Sequence, residues 1–313
     1  MVKSMFSGIA GLRAHQQKMD VIGNNIANVN TYGYKAGRVT FKESIYQTTS
    51  SSSEGNDVFG GSNPSQVGYG SEVGTIDLMF SSGAYAPTDS SMDCMIDGEG
   101  FFIVGNKGIT IKTDGDDPAA ISQEMTKLSL SRVGNFAFDG EGYLCDGSGN
   151  IVYGYVHKDG NMENDLDTTT LQAIRVAYVD ENGDYVAAGT ADATPLKLNS
   201  ISISKTGEII GSDSDGESVT VGMLALANVP NANALEKSQG PYYTIRENTG
   251  YVLPYEPGKG TTGSILSNGL EMSNVDLAKE FSEMITTQRG FQANTRIISV
   301  TDEMLEELVN IKR

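Results

Sequence analysis

The chain has no tryptophan, two histidines, two cysteines and eight prolines among its 313 residues. It also lacks any apolar run near the 18 or more residues of a membrane helix, which argues against a helical span and membrane insertion. Cys94 and Cys145 form no CxxC pair, and two cysteines are too few for a disulfide framework. Cys94 falls in the apolar stretch Met92–Val104 and reads as a small buried hydrophobe, while Cys145 precedes an Asp146-Gly147 turn and reads as more exposed. Of the histidines, His15 is expected on the solvated side of an N-terminal helix and His157 in a polar loop. Neither accompanies a nucleophile–base motif, so the sequence offers no catalytic centre and the chain is not expected to be an enzyme. Basic residues are scarce too, 22 against 40 acidic, and a net charge of −18 argues against nucleic acid and anionic membrane surfaces. Residues 1–27 contain no signal-peptide apolar run and no small-residue cleavage site, so no cleaved signal is expected.

Motifs that hint at ligands fail on spacing. The acidic stretches 180–184 and 213–217 lack the twelfth-position glutamate of a calcium loop, and hairpin turns explain them better. Gly98-x-Gly100 is followed by strand residues and lacks a third glycine, and 258–262 carries P-loop letters in the wrong order. No cofactor and no metal are therefore expected.

What the chain does have is helical periodicity at both ends and β-patterning between them. Leu277, Phe281, Met284, Gln288, Phe291, Thr295, Ile298, Asp302, Leu305 and Val309 follow steps of four and three, the seam of a coiled coil. Met5, Ile9, Leu12, Met19 and Ile26 fall on a similar heptad, interrupted by Gln16 and Gly23. Seams on both termini need partners, and these are expected to be the other terminus and further copies of the chain. The N-terminal helix is expected over 2–28, stopped by the Asn/Gly cluster 28–33. The C-terminal helix is expected from Ser273 or Asn274, with Ser273 and Asp276 as a capping box and Lys312 and Arg313 at its end.

Between them the pattern is short apolar runs broken by Asp-Gly and Asn-Gly, the strongest hairpin signals. Runs 101–104, 109–111, 151–153, 174–179 and 219–221 are the best strand candidates. The expected fold class is α+β: terminal helices forming a coiled-coil stem, a β-rich middle domain, and a small inserted β-domain. The expected boundaries are 1–32 with 270–313 for the helical domain and 33–70 for an extended, polar, flexible connector. The β-rich core is expected over 71–156 with 199–269, and the outer insertion over 157–198.

The segment Met19–Lys35, with Asn24, Asn25, Asn28, Asn30, Thr31, Gly33 and Lys35, resembles the signature of the bacterial flagellar rod and hook family. Leu270–Leu277, with Ser273, Asn274 and Val275, and Met284–Asn294, with Gln288 and Arg289, resemble its second hallmark. Asp97–Val104, Arg132–Phe136, Ile203–Gly211 and Gly222–Val229 resemble its central β-domain, so that only about 107–128 and 157–198 fall outside the likeness. Gly60–Gly68 resembles the hook version of the connector, with the distal rod subunit as the alternative. The outer insertion is small for a hook subunit.

The resemblance implies a subunit exported through the flagellar type III apparatus without a cleaved signal. It implies self-assembly into a curved hollow tube, a helical homopolymer and torque-transmitting joint of the extracellular hook. The implied partners are the hook cap protein, the distal rod protein and the hook–filament junction protein. Assembly would run through Ile9, Leu12, Met19, Ile26, Leu277, Phe281, Met284, Phe291, Ile298 and Leu305 on the terminal helices.

Overall fold

A computed structural model describes residues 2–54, 60–113, 117–157, 166–179, 185–186, 194–213 and 216–311. Among these residues it is a mixed structure with three α-helices, α1 (Val2–Ala27), α2 (Pro118–Met125) and α3 (Leu277–Ile311), and many short strands. The chain divides into two compact units. One contains Met1–Val29, Lys35–Met79 and Val275–Arg313; the other contains Asn30–Tyr34 and Phe80–Asn274.

In the first unit α1 and α3 run antiparallel. Gly8 lies beside Ile298, Gly11 beside Asn294, His15 beside Gly290, and Lys18 beside Glu283, so numbers rise on one helix as they fall on the other. Helix α3 starts later than the sequence suggests. The Asp276 carboxylate accepts from Ala278 N at 2.9 Å and Lys279 N at 3.3 Å, so Asp276 caps the helix. Its 35 residues make a rod of about 52 Å at 1.5 Å per residue. Lys312 and Arg313, expected at its end, lie outside the described residues.

The segment expected to be a flexible connector is a paired β-ribbon. Strand β1 (Gly37–Glu43) pairs antiparallel with β4 (Ser71–Leu78), and β2 (Tyr46–Ser50) pairs with β3 (Ser65–Gly68). A cross-strand Ser53–Ser62 bridge extends the pairing, with the two hydroxyls 2.8 Å apart. Serine and threonine, which signal loops by composition, also form cross-strand hydroxyl pairs; Thr40 and Thr75 make another at 2.6 Å. The ribbon lies on α1: a β-carbon at Gly70, whose φ is +102°, would come within 3.0 Å of Ser7 O.

The second unit is β-rich, as expected. Its main sheet is antiparallel and runs through 200–203, 208–212, 218–224, 151–157, 101–105, 129–131, 242–244 and 236–237. Ile96, Phe102, Val104, Val152, Leu224 and Leu226 form the centre of its core. Among the described residues, the Asp-Gly signals at 139–140 and 146–147 mark turns. Asp146 Oδ1 accepts from Ser148 N and Asn150 N, closing the hairpin after Cys145, and Gly216 turns at φ +86°. The expected strand 174–179 is broken. Residues Leu166–Ala173 form a strand instead, and the next residues change partners, with Ile174 N donating to Val152 O and Val176 N to Gly142 O. Ile174 and Val176 lie in the common core, and 166–173 pairs with 151–157. Within the expected insertion, 178–179, 185–186 and 194–195 make a small sheet of their own. Residues 158–165, 180–184 and 187–193, including the acidic stretch 180–184, lie outside the described residues. His157 ends a strand rather than occupying a loop, with Nε2 2.8 Å from Thr220 O.

Candidate self-assembly surface

The helix pair of the first unit meets through small and polar residues. Gly8, Gly11, His15, Lys18, Ile22 and Asn25 follow steps of three and four along α1, and Thr287, Asn294 and Thr301 recur at steps of seven on α3. A β-carbon at Gly11 would lie 2.6 Å from Asn294 Nδ2, so the helices approach as closely as glycine allows. Thr287 and Thr301 are buried, and their hydroxyls donate back to Glu283 O at 2.7 Å and Ile297 O at 2.6 Å. This satisfies their polar groups within the helix and leaves only the methyl to face the seam.

The predicted seam is therefore displaced by one residue over much of its length. In α1, Ile9, Leu12, Met19 and Ile26 flank the close contact and are half-buried. In α3, Met284, Phe291, Ile298 and Leu305 are half-buried, while Leu277 and Phe281 are 40% and 50% exposed. Gln288 and Arg289 are exposed, as are Thr295 and Asp302. The closest intramolecular contact uses glycine, threonine and asparagine, and the larger apolar side chains are left at its margin or in solvent.

His15 is not on a solvated face. Its ring sits against Gly290, with Phe41 edge-on at 5.7 Å, and its Nδ1 is buried without a hydrogen-bond partner. Burial lowers its pKa, and the nearby Lys18 ammonium lowers it further. Lys18 pairs with Glu283 at 3.0 Å.

The family-motif asparagines serve the backbone. Asn25 is buried, and its side chain clasps Gly37 in two directions: Nδ2 donates to Gly37 O and Gly37 N donates to Oδ1, both at 2.9 Å. Asn28 Nδ2 donates to Asn24 O and Oδ1. Lys35 is buried and Val275 half-buried in the same unit. In the second unit Asn30 and Thr31 are exposed, Ser273 is half-buried, and Asn274 Nδ2 donates to Ser81 Oγ at 3.0 Å. Gly33 has φ +66° and a β-carbon there would lie 2.7 Å from Val133, which explains the glycine.

Outside the seam, α3 carries an uncovered apolar stripe. Val300, Met304, Leu308 and Ile311 recur at steps of four and three, and exposure rises to 77% at Ile311. Exposed apolar surface of this extent on one helix marks an interaction site. The heptad expected through Ile298, Asp302, Leu305 and Val309 runs beside this stripe and does not include it. The signal that separates the two was present in the glycines and threonines at heptad spacing.

Burial raises the pKa of Cys94 strongly and that of Cys145 more modestly, with Asp93 adding to the first and Asp139 and Asp146 to the second. Both thiols are held in the poorly nucleophilic form. Among the described residues no group of three His, Cys, Asp or Glu side chains could hold a metal ion, and no helix is long and apolar enough to cross a membrane.

A helix pair with a small-residue seam and large apolar groups turned outward, attached to a β-rich body, defines a structural subunit built to meet other chains. Comparison with known proteins agrees. The family model "Flagella basal body rod protein" matches residues 5–35, and "Flagellar basal body rod FlgEFG protein C-terminal" matches 266–311. The flagellar basal-body rod protein FlgG of Bacillus subtilis (strain 168) is 37% identical, over all of both chains. The flagellar hook protein FlgE of Borreliella burgdorferi is 28% identical, again over all of both chains. The rod protein FlgG of Caulobacter vibrioides is 28% identical over 97% of each. The chain belongs to the flagellar rod and hook family of axial proteins, a structural and non-enzymatic family of the bacterial flagellum.

Proposed function

We propose that this chain is the hook subunit, polymerising into a curved hollow tube that carries torque from rod to filament while bending. The observation that carries this reading is the ribbon between the terminal helices. From residue 44 to 70 only Glu54 and Asp57 are charged, and the rest is largely serine, threonine, glycine and asparagine. Strands β2 and β3 are exposed along their whole length. This surface is poor in charge, with Ile45, Tyr46 and Val67 exposed among its serines, threonines and glycines, and such contacts can slide as neighbouring subunits shift, which a bending joint requires. Full-length alignment with a protein named as a hook protein supports the same reading.

In this reading the terminal helices supply the strong contacts of the tube, as a coiled-coil layer extending the helix pair. Ile9, Leu12, Met19, Ile26, Leu277, Phe281, Met284, Phe291, Ile298 and Leu305 serve contacts between copies. The subunit leaves the cell through the flagellar type III apparatus, assembles beneath the hook cap protein, and joins the distal rod protein to the hook–filament junction protein outside the cell.

A second reading, the distal rod subunit, is favoured by the 37% identity to a protein named as a rod protein. Deleting the gene and viewing isolated basal bodies by negative-stain electron microscopy separates them. Complete rods without hooks are expected; rods that stop short would establish the second reading, and intact hooks with filaments would sink both.

A further inference from the structure

Two apolar surfaces of the first unit are flanked by opposite charges. On α1, Lys3, Phe6, Ala10 and Arg13 lie on one face at steps of three and four, away from the seam through Gly8, Gly11 and His15. With Ile9 and with Tyr69 from the ribbon, Phe6, Ala10 and Arg13 line an open, mainly apolar groove of about 400 Å³. Phe6 is 58% exposed on its rim. The groove is positively charged: Lys3 lies over the Tyr69 ring at 5.9 Å, and Arg13 makes no ion pair among the described residues.

The other surface is the C-terminal end of α3. Gly8 sits beside Ile298, so the turns after about residue 304 run on past the start of α1, and all described residues from 302 to 311 except Leu305 are exposed. Val300, Met304, Leu308 and Ile311 form an apolar ridge there, and Asp302, Glu303, Glu306 and Glu307 surround it without a basic residue between 302 and 311. This end points away from the α1 groove of its own chain because the helices are antiparallel.

We infer that the α3 end of one copy docks in the α1–Tyr69 groove of the next, with Met304 and Leu308 on Phe6 and Ala10 and Glu303 or Glu307 facing Arg13. The inference rests on the reading of the chain as an axial polymer subunit and names the surfaces that carry the polymer. A groove and a helix end are different patches, so the contact is heterologous. Repetition of such a contact gives a ring or an open helical array rather than a closed two-fold dimer. Apolar burial supplies the adhesion, and the opposed charges set register and exclude the like-charged pairing of two α3 ends.

Charge reversal tests this in the full chain expressed from its own gene. Arg13→Glu alone and the pair Glu303→Arg with Glu307→Arg are each expected to cut assembled subunit in sheared axial structures at least tenfold. The triple variant is expected to recover most of it. Purified proteins added to sheared wild-type ends read incorporation without export, so a variant that fails to leave the cell is still scored. Single reversals that assemble normally, or a triple variant no better than either, would overturn the pairing. If wild-type subunit itself is absent from every axial structure, the failure belongs to the proposed function and not to this contact.

Discussion

Gly290 of α3 lies directly against the imidazole of His15 on α1: a β-carbon at Gly290 would stand 2.7 Å from both Cε1 and Nε2. A helix-interior glycine costs about 1 kcal/mol relative to alanine, so it is tolerated here for the close approach it permits. Gly290→Ala is expected to lose that propensity gain to overpacking of about 1–3 kcal/mol. In a His15→Ala background the same change should become neutral or stabilising. A double-mutant cycle followed by thermal denaturation checks this, and strict additivity would show that the two residues do not meet.

The same histidine makes the helix pair acid-sensitive. Its folded pKa lies below 6.5, lowered first by burial and then by Lys18, with Glu283 the acid paired to that lysine and Phe41 closing the site. A lowered base binds fewer protons folded than unfolded, so stability is complete above about pH 6.5 and falls as pH drops below it. Wild type should lose stability relative to His15→Gln between pH 6.5 and 5. Parallel curves for the two proteins would contradict the assignment.

Asn25→Ala removes both hydrogen bonds to Gly37 and leaves a backbone N–H and C=O without their partner at a buried side chain. The expected cost is about 2–4 kcal/mol. Hydrogen exchange should show Gly37 N–H losing protection before amides further along β1, and unchanged protection would rule out the clasp.

In the β-rich unit Arg132 and Glu271 form a buried ion pair, 3.5 Å apart. Arg132 Nη2 also donates to Gly98 O, and Glu271 Oε1 accepts from Gly83 N, both at 2.9 Å. Glu271→Ala strands a buried guanidinium, and a loss of about 3–5 kcal/mol is expected. Urea denaturation reads it; a loss under 1 kcal/mol would mean that solvent reaches the arginine.

Much of this architecture was legible in the residues. Two terminal helices and a β-rich middle follow from heptad spacing at the ends and Asp-Gly turns between them, as at Asp146-Gly147. The expected heptads, open to contacts with the other terminus and with further copies, lie one residue away from the closest helix–helix contact over much of their length. Gly8, Gly11 and Gly290 let the backbones meet closely, and that contact displaces large side chains such as Phe281 and Ile297 toward solvent. The pairing of the ribbon was not visible because the cluster 48–56, with Ser53, signals a loop by composition; only pairing with Ser62 makes Ser53 strand-like. The strand at 174–179 failed for a related reason: Ile174 and Val176 are apolar enough for a strand, but their amides bond different partners.

As proposed, this chain builds the bending joint between rod and filament. Immunogold labelling of isolated hook–basal bodies, with antibody raised against the β-rich unit, tests it most directly. Gold distributed along the curved segment between rod and filament is the predicted result. Gold confined to the straight rod, with the curved segment bare, would contradict it.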